Sequence, residues 1–134
     1  MKVLIGLVTA LLVFLAGLVD APAAHASPYP HTITTYCHSK AVKNPISRDT
    51  RPRFRFWITT NGNGRPTTMV HIRIVNRKTH HVVRRAHRWY NEPVETWLFK
   101  KLKPGRYKFK FHTATGPISV YKNCSTASRL RVTP

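Results

Sequence analysis

The stretch LKPGRYKFKF, residues 102–111, decides the fold. Pro104 and Gly105 mark a turn, because proline presets φ and glycine tolerates positive φ. After this turn, apolar and basic residues alternate strictly to the end of the stretch. A period of two places Tyr107 on the side opposite Lys108, as in a strand with one buried face. The segment therefore predicts a half-buried β-strand entered through a tight turn.

The same alternation recurs along the rest of the chain. The predicted strands are residues 53–58 (RFRFWI), 70–74 (VHIRI), 82–83, 94–99, 107–111, 118–121 and 130–132. Turn sequences such as NGNG at 61–64 and NRKT at 76–79 separate them, and the second of these predicts a hairpin. We expect an all-β fold, a small antiparallel β-sandwich of about seven strands, with a barrel of few strands as the alternative.

The motif L-x-P-G-x-Y within this stretch resembles the tyrosine corner of immunoglobulin-like and fibronectin type III-like domains. The resemblance implies an immunoglobulin-like sandwich whose tyrosine hydroxyl caps the loop that crosses between the sheets. It implies no function, because this fold hosts many. The chain departs from the immunoglobulin pattern at Phe109, where those domains carry a cysteine. The predicted structural corner consists of Leu102, Pro104, Gly105 and Tyr107.

Residues 1–26 have the pattern of a signal peptide. Lys2 precedes an apolar run, and Ala24-His25-Ala26 supplies the small-x-small cleavage motif. About 17 apolar residues is also near the lower limit for a membrane anchor. Cleavage after Ala26 is favoured, because the small residues follow the run directly and no cationic flank does. We expect a secreted protein of one domain, with an N-terminal strand and loop region at 27–52 and its main body at 53–134.

The chain has two cysteines, Cys37 and Cys124. In an exported protein of this size we expect them to form one intramolecular disulfide, since small secreted domains are commonly stapled in this way. An intermolecular bridge and two free thiols are the alternatives.

The charge balance is the strongest indication of function. The chain has 23 Lys+Arg against 4 Asp+Glu, a formal net charge of +19. Lys2 and Asp20 lie in the predicted signal peptide, which leaves 22 basic residues opposed by Asp49, Glu92 and Glu95. Such a chain repels itself and attracts polyanions. The expected partner is an acidic extracellular protein or an anionic cell-envelope polymer. Export excludes intracellular nucleic acid.

The sequence offers little for chemistry. Three carboxylates give no convincing acid/base pair, and no nucleophile-elbow, zincin, phosphate-loop or dinucleotide motif appears. Adjacent His80 and His81 fall in a predicted turn, and His71 lies two residues from Arg73. We therefore expect no catalytic residues, no cofactor and no metal site.

Basic residues alternate with the apolar rows of several predicted strands, and like charges side by side on strands are destabilising. The simplest explanation for keeping these destabilising charges is a function that requires a positive electrostatic potential. The stretch 84–90 adds aromatic residues to the cations, which suits stacking or protein docking. The predicted anion- or partner-binding residues are Arg53, Arg55, Arg84, Arg85, Arg88, Trp89, Tyr90, Arg106, Lys108 and Lys110.

Taken together, these features predict a secreted, non-catalytic, basic β-sandwich that acts by binding, as an adaptor or accessory subunit of an extracellular complex. The alternative is a cationic antimicrobial effector that acts on microbial envelopes. Against the alternative, the apolar residues alternate within strands and are needed for the core, so stable membrane insertion is not expected.

Overall fold

The computed structural model describes residues 33–116 and 119–134, so the predicted signal peptide lies outside the described residues. This part of the chain forms eight strands and no helix, because its apolar residues keep a period of two. The strands are β1 (Thr35–Ala41), β2 (Ile46–Ser47), β3 (Arg53–Thr60), β4 (Thr68–Asn76), β5 (Val82–Tyr90), β6 (Glu95–Leu98), β7 (Gly105–Ala114) and β8 (Ser125–Thr133).

The strands form two sheets, which confirms the predicted all-β sandwich. One sheet has the order β1-β3-β6 and the other the order β2-β8-β7-β4-β5. Neighbouring strands are antiparallel except β2 and β8, which run parallel over two residue pairs. In chain order, the smaller sheet thus contains the first, third and sixth strands, and the larger sheet contains the other five. The β4–β5 hairpin is formed as predicted.

The core lies between the sheets and is rich in aromatic rings. Phe54 and Phe56 of β3 and Phe109 and Phe111 of β7 are all fully buried. The rings of Phe54 and Phe109 stack with their centroids 4.2 Å apart. Phe109 occupies the position where the immunoglobulin resemblance would place a cysteine. A ring pair therefore joins the two sheets at a place where immunoglobulin domains use a disulfide.

One open side of the sandwich is closed by a disulfide instead. Cys37 of β1 is bonded to Cys124, the residue before β8, with 5.5 Å between their Cα atoms. Farther along the same side, the Ser39 and Ser128 hydroxyl oxygens are 2.8 Å apart. The Ser128 hydroxyl also donates to the Ser39 carbonyl. The predicted intramolecular pairing is thus formed, and it links the outermost long strand of one sheet to the other sheet.

The strand predicted at residues 118–121 is wrong for its described part. Val120 lies in a bend, Tyr121 forms a single isolated bridge with Ile33, and Ile118 lies outside the described residues. The Tyr121 amide donates to the Ser119 hydroxyl rather than to a neighbouring strand. A serine that caps its own turn in this way competes with sheet pairing.

The loop between β6 and β7 crosses from one sheet to the other, and Tyr107 holds it. The Tyr107 hydroxyl donates a hydrogen bond of 2.8 Å to the Lys103 carbonyl, four residues back. The ring is 4% exposed. The side chain of Leu102, in the same loop, is buried in the core and also holds the loop in place.

Replacing Tyr107 with Phe is expected to lower the free energy of unfolding by about 1–2 kcal/mol, because the Lys103 carbonyl loses its donor. Chemical denaturation of the two proteins measures this difference. Tyr36→Phe is the matched control, since Tyr36 is 53% exposed and loses little with its hydroxyl. Equal stability of Tyr107→Phe and the unchanged protein would show that the hydroxyl does not hold the corner.

Alkaline pH gives a second measurement of the same contact. Burial raises the pKa of Tyr107 above its ordinary value of 10.0, and the nearby Arg84 charge partly opposes this. A phenol whose pKa is higher in the folded state than in the unfolded chain contributes stability at lower pH. This stability is lost as the pH rises from the unfolded-state pKa through the folded-state pKa. Above pH 10, Tyr107→Phe should therefore lose stability less steeply than the unchanged protein.

Candidate functional site

The outer side of the five-stranded sheet carries a continuous set of cations. Along β7 the side chains of Tyr107, Phe109 and Phe111 point into the core, so the intervening basic residues face outward and are exposed. The same alternation operates on β4 and β8. We call this surface the basic face; its seven exposed cations are Arg73, Arg85, Arg106, Lys108, Lys110, Arg129 and Arg131.

Strand register brings these cations together in rows. On the β8 side, Arg131 is the cross-strand partner of Arg106, and Arg129 is the partner of Lys108. On the β4 side, Lys110 pairs with Arg73, which in turn pairs with Arg85 of β5. Cross-strand partners lie about 5 Å apart and alternate residues of one strand about 7 Å apart. The basic face is therefore a two-dimensional lattice of positive charge, in which the uncharged residues Ala127 and Val75 occupy two positions.

No acidic residue interrupts this lattice, because β4, β5, β7 and β8 contain no Asp or Glu. Outside the predicted signal peptide the acids are Asp49, Glu92 and Glu95. Asp49 follows β2, and Glu92 lies between β5 and β6. Glu95 starts β6, and its carboxylate accepts hydrogen bonds from the Asn91 and Glu92 amides. The uncompensated charge costs stability and produces a strong positive potential over one side of the molecule.

A row of histidines borders the cations. His71 of β4 is the cross-strand partner of both His112 of β7 and His87 of β5. The His71 and His87 rings meet edge to face, with 4.6 Å between their centroids. With the neighbouring arginines they line a shallow depression of about 220 Å³. Within residues 33–116 and 119–134, no three metal-ligating side chains are placed so that they could hold a metal ion.

The patch predicted at residues 84–90 is divided between two sides of β5, so its residues do not form one surface. Arg84 and Arg88 pair with Ile74 and Val70, whose side chains are in the core, so both arginines face the inner side of the sheet. Arg85 faces outward and belongs to the basic face. Trp89 also faces outward and is 54% exposed. Only two of the five residues thus share the exposed surface.

The inward arginines close the second open side of the sandwich. Arg84 donates to the Lys100 carbonyl at 3.0 Å. Arg88 donates to the Leu98 carbonyl at 3.3 Å, and its guanidinium lies 5.3 Å from the centre of the Phe99 ring. These contacts join the edge strand β5 to the end of β6 and the loop that follows. Arg84 and Arg88 therefore have a structural role across this gap.

Tyr90 has a structural role too. Its ring is fully buried and packs edge to face on Phe56. Its hydroxyl accepts a hydrogen bond from the Ile58 amide and donates one to the Pro93 carbonyl, both at 3.2 Å. The predicted role of Tyr90 in partner binding is therefore wrong, because no part of the ring reaches solvent.

Arg53 and Arg55 are exposed, but on the other side of the molecule. Both lie on β3, in the three-stranded sheet, with their side chains opposite the buried Phe54 and Phe56. The structure thus divides the outward-facing residues of the predicted site between two surfaces. It also adds Arg73, Arg129 and Arg131 to the larger one. The sequence indicates the exposure of all three, because each alternates with apolar residues in β4 or β8.

Comparison with known proteins adds no assignment: no family model matches the chain, and no curated protein or solved structure matches it. In the part of the chain that the structure describes, no helix is long and apolar enough to cross a membrane.

Proposed function

We propose that this protein is a secreted, non-catalytic binding protein that docks its basic face on an anionic partner outside the cell. The single observation that carries the proposal is the lattice of seven exposed cations on four strands that contain no acid. Like charges that are direct cross-strand partners lower the stability of the sheet, and a binding function explains why the protein has them. The disulfide supports an oxidising compartment.

The extended array of cations favours a linear polymer as the anionic partner. A chain with a phosphate, sulfate or carboxylate on each repeating unit can contact several of these cations at once and release a counterion at each contact. An acidic protein surface is the other candidate, and it fits the role of an adaptor in an extracellular complex. The two differ in kinetics, because salt mainly slows association with a protein whereas it lowers affinity for a polymer by counterion release.

The test compares two variants of equal charge. The basic-face variant combines Arg73→Gln, Lys108→Gln, Lys110→Gln and Arg129→Gln. The loop variant combines Lys43→Gln, Arg48→Gln, Arg65→Gln and Lys101→Gln, all of them exposed. At low salt, the basic-face variant should bind a sulfated polymer such as dextran sulfate on the order of 100-fold more weakly, and the loop variant less than about fivefold. Equal losses would mean that net charge alone governs binding.

Purification from culture medium at modest salt separates the adaptor from the alternative, a cationic effector on microbial envelopes. An adaptor co-elutes with a defined partner, whereas an effector elutes alone and permeabilises cells by itself. The position of the apolar side chains supports the adaptor, because the phenylalanines of β3 and β7 lie in the core and are not free for insertion into a membrane.

A further inference from the structure

A second basic surface lies on the outer side of the three-stranded sheet. Lys40 of β1 is the cross-strand partner of Arg55 of β3, and both are exposed. Arg53, two residues from Arg55, is exposed on the same side. β1 and β3 contain no acidic residue. This surface therefore repeats, on a smaller scale, the cross-strand like-charge pairing of the basic face.

Aromatic side chains continue this second surface along the same two strands. Tyr36 is 53% exposed. His38 and Trp57 are cross-strand partners whose rings stack at 5.2 Å with an angle of 12° between their planes. The His38 Nε2 atom is 2.9 Å from the Thr59 hydroxyl, which fixes the ring. We call the whole surface the second face; it consists of Tyr36, His38, Lys40, Arg53, Arg55 and Trp57.

The two faces are electrostatically independent at physiological salt. Packed sheets are about 10 Å apart, and the side chains on their outer sides add several ångströms each. The cations of the two faces are thus separated by on the order of 20 Å, more than twice the Debye length of about 8 Å at 0.15 M salt. A polymer bound to one face therefore leaves the potential of the other largely intact.

The sides between the two faces are occupied by structural contacts. One is closed by the Cys37–Cys124 disulfide. On the other, the guanidinium groups of Arg84 and Arg88 are held by backbone carbonyls. Glu92 and Glu95 lie in or beside the β5–β6 connection at this side. A single polymer chain that continued from one face to the other would pass these groups, so each face is better suited to a separate chain.

We propose that the second face binds a second anionic polymer chain, so that one molecule of this protein bridges two chains. The occupant is assigned from charge complementarity, because three exposed cations lie beside the half-buried His38–Trp57 ring pair with no acid on their strands. This inference extends the proposed function, since it requires that the basic face binds a polymer as well.

The experiment is a bridging assay with the full exported chain. Beads that carry dextran sulfate are saturated with the protein and washed, and soluble fluorescent dextran sulfate is then added. The second-face variant combines Lys40→Gln, Arg53→Gln and Arg55→Gln. Its control, with the same loss of charge, combines Lys43→Gln, Arg65→Gln and Lys101→Gln. Circular dichroism and thermal melting establish that each variant is folded.

The unchanged protein and the control should capture the fluorescent polymer. The second-face variant should bind the beads like the control but capture at least fivefold less. Equal capture by variant and control would overturn the bridging role of this face. If the unchanged protein binds the beads but captures nothing, bridging is wrong while the proposed function stands. If the protein does not bind the beads, the proposed function fails first.

Discussion

Removal of the Cys37–Cys124 disulfide is expected to lower the free energy of unfolding by about 4 kcal/mol. The two cysteines are 87 residues apart in sequence, and in the chain-entropy model a loop of that length gives a large stabilisation by restricting the unfolded state. The bridge also joins β1, at the edge of the smaller sheet, to the start of β8 in the other sheet. Without it, the hydrogen bonds of Ser39 and Ser128 remain as polar contacts on that side.

Denaturant titration of Cys37→Ala with Cys124→Ala, against the oxidised protein, measures the effect. Addition of a thiol reductant to the unchanged protein should reproduce the loss, and the same reductant should leave the double variant unaffected. The intact mass of the protein should be about 2 Da lower before reduction than after it, because two hydrogens are lost on pairing. A loss of less than about 1 kcal/mol would show that the remaining contacts hold β1 without the bridge.

Local patterns predicted the parts of the fold that depend on local chemistry. The alternation around Phe109 gave β7, and the turn after Asn76 gave the β4–β5 hairpin. The tyrosine corner gave the crossing between sheets, where the Tyr107 hydroxyl meets the Lys103 carbonyl. Strand order beyond these neighbours depends on contacts that are distant in sequence, such as the Phe54–Phe109 ring pair, and no spacing encodes them.

The candidate site could be predicted only in part, because it too depends on contacts between residues that are distant in sequence. Alternation assigned Lys108 and Lys110 to an exposed side, but it does not say which exposed sides adjoin. From the sequence alone, Arg84 and Arg88 are indistinguishable from surface cations, because the sequence does not show which residues of β4 pair with them. Once β4 lies beside them, their partners are the buried Ile74 and Val70, and their guanidinium groups turn to the carbonyls of β6 and its loop. A cationic residue can thus close a gap rather than bind a partner.

Binding of a linear polyanion is expected to weaken steeply with salt, and this is the second large effect. For duplex DNA, used here as a polyanion of known charge spacing, the slope of log affinity against log salt is about −0.9 per phosphate neutralised. If all seven cations of the basic face engage, the slope should be about −6, which weakens binding by several thousandfold between 50 and 200 mM salt.

The salt slope therefore tests directly whether the basic face is the binding surface. Affinity for one DNA duplex would be measured from 50 to 500 mM salt for the unchanged protein, the basic-face variant and the loop variant. The slope should be about −6 for the unchanged protein and for the loop variant, and about −3 for the basic-face variant, which retains three of the seven cations. An affinity indifferent to salt, or equal slopes for the two variants, would show that the basic face is not the binding surface.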